Sequence, residues 1–356
     1  MTQIPTARGD TIDAKDVGFS LMTECIIGPS DAEIQNNWPQ FTVADMPDSV
    51  AVEKLITAKQ HGVDTILDRV IAPTGRNVVR VKRIAEQVPV NIIVGTGWHT
   101  ARSNQDFPRF FAWAEEGLDY DAWESEDKDY FRERTKEFAK YRPWPTLEQV
   151  MLMDIQEGIM GTGVRAGFIK CATDDRGLTP GVERVIRACA RVHRQTGVFI
   201  TTHTGPGIGA PLGALQQGLL KECGVDLSRV ILGHLDWTPP TVPIDDFVKL
   251  ADQGSLLSFD TLRMAYMFPP SWAEKRIERI VELCKRGYAE HVLISHDDST
   301  WHDVQPQPPS PFPTYCEISL DFIPKLKEHG ITDQQIVQIT RGNPQRIFES
   351  NGRGGY

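Results

Sequence analysis

The chain repeats one rhythm eight times along its 356 residues: a short apolar run, then a longer amphipathic stretch. The runs are FSLMTEC, TILDRV, VNIIVGTG, GFIKCAT, VFITTHTG, VILGHLDW, SLLSFDT and VLISHDD. Most are rich in Val, Ile and Leu without strict alternation, as strands covered on both faces are. Between them lie helical patterns. SVAVEKLITAKQHG and GVERVIRACARVHRQTG each end on Gly, and AEKRIERIVELCKRGY turns basic near its end, which suits the negative end of a helix dipole. Eight strand–helix units predict an α/β fold, a (β/α)8 TIM barrel formed as one domain over residues 1–356. A doubly wound open sheet is the competing architecture, but it would show five or six units.

Polar residues gather where these strands end: Thr23 and Cys25, Asp68, Trp98, Lys170, His203, His234, Asp260 and Asp297. Barrel active sites lie at that end. One segment breaks the rhythm. The insertion at about 100–148 carries eleven aromatic residues, from Phe107 to Trp144, among many charges. It follows the third strand, so it is expected on the catalytic face as an aromatic lid, or else as a helical excursion or dimer contact. The proline-rich loop DDSTWHDVQPQPPSPFPT follows the eighth strand.

Composition narrows the function. The net charge of −10 and the lack of a basic stretch argue against a nucleic-acid partner. No apolar run has the length of a membrane span, and MTQIPTARGD lacks the apolar core of a signal peptide. The six Cys are irregularly spaced, without a CxxC pair, as in a cytoplasmic protein without disulfides. GPGIG and GTGVRAG match neither phosphate-loop spacing, and no Gly-x-Ser-x-Gly elbow occurs.

His203, His234 and Asp297 stand at the mouths of strands five, six and eight, and two imidazoles with a carboxylate form a plausible zinc set. Lys170 lies inside an apolar strand, where an ammonium must lose its charge, find a partner or react. It could be a Schiff-base lysine, a lysine converted by CO2 to a bridging carbamate, or one paired with an acid; the nearby His residues favour the carbamate.

GTGVRAGFIKCATD, ITTHTGPG, ILGHLDWT, VLISHDD and ITRGNPQRIF, in that order, resemble the phosphotriesterase family of the amidohydrolase superfamily. The resemblance runs from Val17 to Phe348, with the insertion outside it. It implies a (β/α)8 barrel with one or two divalent metals, zinc-like, and a metal-generated hydroxide that attacks a phosphotriester, lactone, ester or amide. By resemblance, Lys170 is the carbamylated bridge, and His203 and His234 bind the more exposed metal. Asp297 binds the buried metal and accepts the proton, Asp236 matches a proton-relay carboxylate, and Arg76 fits the family pattern. A homodimer is also implied. Trp98, His99 and Arg263 are candidates for the substrate pocket, and the aromatic insertion suggests a bulky apolar small molecule. His302 and His99 could replace a missing ligand, although a pocket-wall role is the plainer one.

Two departures matter. The family's first strand carries Met-His-Glu-His, whereas this chain has Met22-Thr23-Glu24-Cys25. Cys25 as thiolate can still bind zinc, Thr23 is a poor ligand, and Glu24 is expected to face away from the mouth. The buried site is then either rebuilt on Cys25, Asp297 and Lys170 or lost. GTGWHT replaces the Tyr that family lactonases tend to carry after Gly-Thr-Gly. These changes keep two rivals in view: a one-metal lyase or decarboxylase, and a metal-free ligand-binding barrel.

Overall fold

The computed structural model describes residues 2–99, 111, 129, 130, 133, 134, 137, 140, 141, 145–303 and 308–351. Two short strands, β1 (Gln3–Pro5) and β2 (Thr11–Asp13), pair antiparallel. Eight strands then follow in parallel: β3 (Ser20–Glu24), β4 (Thr65–Asp68), β5 (Asn91–Gly97), β6 (Phe168–Lys170), β7 (Ile200–Thr201), β8 (Val230–Leu232), β9 (Leu256–Phe259) and β10 (Val292–Ile294). Each pairs with its neighbour in chain order, so the sheet runs from β3 to β10 without a crossover, and helices lie between the strands. All eight runs picked out in the sequence become these strands, and the fold is the (β/α)8 barrel. The insertion at 100–148 lies largely outside the described residues. No helix among them is long and apolar enough to cross a membrane, and all six Cys are free thiols.

The helices follow from local chemistry. Pro180–Thr196 starts on Thr179, whose side chain accepts from the Val182 N–H, and has Pro at its first turn. It ends on Gly197 at φ 73, a left-handed stop that suits Gly. Val182, Val185, Ile186, Cys189 and Val192 fall on one face of it and pack into the layer between helices and sheet.

Alternation sets what fills the barrel. Met22, Leu67, Ile93, Phe168, Phe199, Ile231, Leu256 and Leu293, one from each strand or its first flanking position, form a separate inner cluster. Ile4, Val17 and Phe348 join them from below. Two residues further along, the same inward register holds Arg69, Lys170, Thr201, Ser258 and Ser295. Two further still, it holds His203, Asp260 and Asp297. An oily floor therefore carries a polar storey, and the candidate site is that storey.

The first strand breaks alternation. Its register against β4 shifts between Leu21 and Glu24, the mark of a β-bulge. Met22 packs in the inner cluster, yet Thr23 also turns inward, donating its hydroxyl to Asp260 Oδ2 at 2.7 Å. Glu24 is left facing out, as expected from sequence. It closes the barrel there. Its Oε1 accepts from Ser295 Oγ at 2.7 Å, from His296 N at 2.9 Å and from His296 Nδ1 at 2.8 Å. Its Oε2 accepts from Asp298 N at 2.7 Å. Backbone bonds Cys25 N to Asp298 O and Asp297 N to Thr23 O complete the seam.

Every partner of the Glu24 carboxylate is a donor, so Glu24→Gln sets an amide N–H₂ against donors. We expect a loss of about 1–3 kcal/mol, read as a lower urea midpoint at unchanged slope; an unchanged midpoint would remove Glu24 from barrel closure. Gly97 sits at φ +121, and a Cβ there would lie 2.0 Å from the Lys170 carbonyl oxygen. Gly97→Ala should cost about 1–3 kcal/mol in the same measurement.

Candidate functional site

Lys170 rises from the end of β6 above Phe168, fully buried. Its Nζ donates to the Thr202 carbonyl at 2.7 Å. Burial pushes its pKa down to about 8, against the pull of Asp260 toward the charged form. The amine is thus partly neutral near neutral pH, which an electrophile such as CO2 requires.

His203 follows β7. Its backbone is tied down, its carbonyl accepting from Gln216 Nε2 at 2.7 Å and from Thr173 N at 2.9 Å. Its ring is not: both nitrogens are buried and have no hydrogen-bond partner. Burial above all, then the nearby His234, His99 and Lys170, hold it well below the usual imidazole range, so it is neutral. His234 follows β8 with φ 59, a left-handed conformation uncommon for a side-chain-bearing residue. Asp260 holds it there, its Oδ1 accepting from His234 N at 2.8 Å and from His234 Nδ1 at 2.7 Å. Burial works against charge on Asp260, but His234, Lys170 and Thr23 outweigh it and keep the carboxylate at about 2. An ionised carboxylate only accepts, so Nδ1 carries the hydrogen, and Nε2 is the ring atom left facing the site. That atom too is buried without a partner. The His203 and His234 rings stand 4.6 Å apart and nearly perpendicular. His99 packs 4.7 Å from His203 on the far side, and Trp237 lies 4.7 Å from His234.

Asp297 shares the strained backbone of His234, with φ 54, and is braced by its N–H to the Thr23 carbonyl at 3.1 Å. Its Oδ1 accepts from Arg69 Nε. The pair is largely buried, the side chains being 10% and 2% exposed. Arg69 stands immediately after β4, its N–H anchored on the Glu24 carbonyl at 2.9 Å. Burial opposes its charge, but the Asp297 carboxylate outweighs that and holds it firmly cationic. Cys25 is buried beside this pair; burial pushes its thiol well above the usual range, and Arg69 only partly offsets that.

The remaining sequence candidates lie further out. Asp236 accepts from Thr261 N and Oγ1 at 3.0 and 2.8 Å and pairs with Arg276 Nε at 2.8 Å, behind His234. Its described partners do not include Asp297. Trp98 packs edge-on against Phe111 at 5.0 Å. Arg76 bridges the Gly95 carbonyl and Asp154 at 2.9 and 2.8 Å, under the third strand. Arg263 bonds the Pro308 carbonyl, lies 3.8 Å from Asp298 and opens onto a groove of about 960 Å³ shared with Lys54, Trp301, His302 and Phe312. Sequence reasoning named Asp260 only as a strand-end residue and missed Arg69 and the Glu24 clasp. The signal for Arg69 was the register itself: in Leu67-Asp68-Arg69 the inward side chain two beyond Leu67 is the arginine.

The donors sort into two groups when tested for a cation. His203 and His234 supply buried nitrogens with nothing to bond, and Lys170 stands beside them, so these three fit one ion. Thr23, Cys25 and Asp297 do not offer a second set: the hydroxyl is committed to Asp260, the thiol keeps its proton, and the carboxylate is paired with Arg69. Among the described residues, no three His, Cys, Asp or Glu side chains are gathered in a way that could hold a metal.

The phosphotriesterase family model matches residues 2–114 and 127–348. A phosphotriesterase homology protein of Mycobacterium tuberculosis is 36% identical over the full length of both chains. An aryldialkylphosphatase of Saccharolobus solfataricus is 31% identical over 97% of this chain and 99% of its own. The solved structure of the phosphotriesterase from Mycobacterium tuberculosis superposes with a TM-score of 0.81 at 34% identity, covering 99% of this chain and 100% of that one. With a barrel of the same fold and a polar storey built on Lys170, His203, His234 and Asp297, the chain belongs to the phosphotriesterase family, an enzyme family of hydrolases.

Proposed function

We propose that this chain hydrolyses an ester, lactone, amide or phosphotriester with one divalent cation, zinc-like, held by His203, His234 and a carbamate on Lys170. The observation that carries the reading is the pair of buried, unpartnered imidazole edges beside a lysine whose pKa is lowered to about 8. The carbamate forms when the neutral Lys170 amine attacks the carbon of CO2. An N–C bond forms, one C–O π pair moves to oxygen, and the amine loses one proton to solvent. When bound, the cation polarises the scissile carbonyl or phosphoryl oxygen and acidifies water.

The protein's own groups do the rest. Asp260 keeps His234 in the tautomer that presents Nε2, and the bonds on the His203 carbonyl fix the backbone from which the second ring projects. Asp297 stands at the mouth on a strained turn and takes the proton released by attacking water, while Arg69 orients its carboxylate through Oδ1. Asp236, paired with Arg276, supports the His234 turn from behind and is the group to which a relay outward would lead. Arg263, with the groove beside it, Trp98 and His99 form the substrate's surroundings. A lyase on the same one-cation scaffold is the second reading, favoured by the first-strand change to Thr23 and Cys25; ¹⁸O from solvent water in the product assigns hydrolysis instead.

Removing an imidazole ligand should lower kcat/KM by about 10³-fold or more, so His203→Asn and wild type are compared on aryl ester, lactone and aryl phosphotriester probes. Protein stripped of metal and reloaded with Zn²⁺ and ¹³C-bicarbonate should show a carbamate carbon signal that Lys170→Ala lacks. Equal activity in His203→Asn, or no carbamate signal in wild type, would overturn the assignment.

A further inference from the structure

We propose that the Arg69 guanidinium stands in for a second, buried cation: it neutralises Asp297 at the place where that ion would sit, and the chain binds at most one divalent metal. Four observations converge. Arg69 takes the inward register two residues beyond Leu67, so its side chain reaches the polar storey rather than the outer helices. Its N–H is fixed to the Glu24 carbonyl at 2.9 Å, which delivers the guanidinium from the end of β4 across the end of β3 to Asp297 after β10. It therefore passes over Thr23 and Cys25, the two residues that would have to receive the metal. Thr23 is occupied as a donor to Asp260 at 2.7 Å, and Cys25 is a buried thiol.

The charge balance leads to the same place. Asp297 faces inward, and its partner is the Arg69 guanidinium, which is charged at any ordinary pH. A further +2 ion against Asp297 would meet a fixed positive charge within the same largely buried space, where like charges repel strongly. Removing Arg69 would in turn leave Asp297 as a buried unpaired anion. Thr23 and Cys25 on the first strand and Arg69 after the second thus act together: a fixed organic cation stands where the family's two first-strand histidines would hold a divalent ion. The ion-pair part of this proposal is independent of the hydrolase reading, and only the metal count rests on it.

The test is a double-mutant cycle on the intact chain, with Arg69→Met, Asp297→Asn and the double variant, melted in chelator and again with excess Zn²⁺ and bicarbonate. Non-additivity on the order of 4 °C is expected, and it should persist with zinc. Elemental analysis should give one zinc per chain in wild type and in Cys25→Ser alike. Coupling that disappears on zinc loading, or two zinc ions in wild type falling to one in Cys25→Ser, would overturn the proposal. Persistent coupling with no zinc bound would uphold Arg69 as the charge substitute and overturn the one-cation hydrolase instead.

Discussion

A single buried carboxylate closes this barrel. Between β3 and β10 the sheet does not continue as a regular ladder; the seam is an isolated bridge from Cys25 to Ser299 and the four donors that converge on Glu24. The first strand can offer that carboxylate outward only because a bulge frees Thr23 to turn inward. The clasp also sets proton positions. Ile318 N–H donates to His296 Nε2 at 2.9 Å, so that nitrogen keeps its lone pair and Nδ1 carries the hydrogen that reaches Glu24. Glu24 raises the affinity of this ring for a proton, but a second hydrogen on Nε2 would face the Ile318 donor. The neutral tautomer is the one the packing accepts.

The seam and the site are one construction. Glu24 binds the backbone of His296 and Asp298 on either side of Asp297, while its own carbonyl holds the N–H of Arg69. Asp297 and Arg69 are thus brought together by the residue that closes the barrel. The strain at Asp297 and His234 fits the same logic. Two left-handed turns, each braced from a neighbouring strand, carry the Asp297 carboxylate and the His234 imidazole at the strand ends, and the backbone cost is offset by the surrounding hydrogen bonds.

Much of this was legible in the sequence because it depends on short-range pattern. Eight apolar runs separated by capped amphipathic helices leave few folds open, and each run became a strand. Lys170, His203, His234 and Asp297 stood out because ionisable groups at strand ends contradict the apolar runs that carry them. Thr23 and Cys25 were visible as departures against the Met-His-Glu-His of the resembling family. Asp236 was named by the resemblance alone, and its carboxylate faces Arg276 and Thr261. The hairpin of β1 and β2 carries no run long enough to announce itself.

What the chain alone determined is periodicity and chemical type: which residues are strand, which side of a strand they face, and which groups are costly to bury. Partnership belonged to the tertiary structure. Arg69 and Asp297 are 228 residues apart, Thr23 and Asp260 are 237, and Glu24 and His296 are 272. No local rule links such pairs, because each exists only once the closed sheet brings the ends of different strands within hydrogen-bonding reach. Whether a carboxylate meets a metal or a guanidinium is decided there, by which charge the neighbouring strand delivers into a largely buried space.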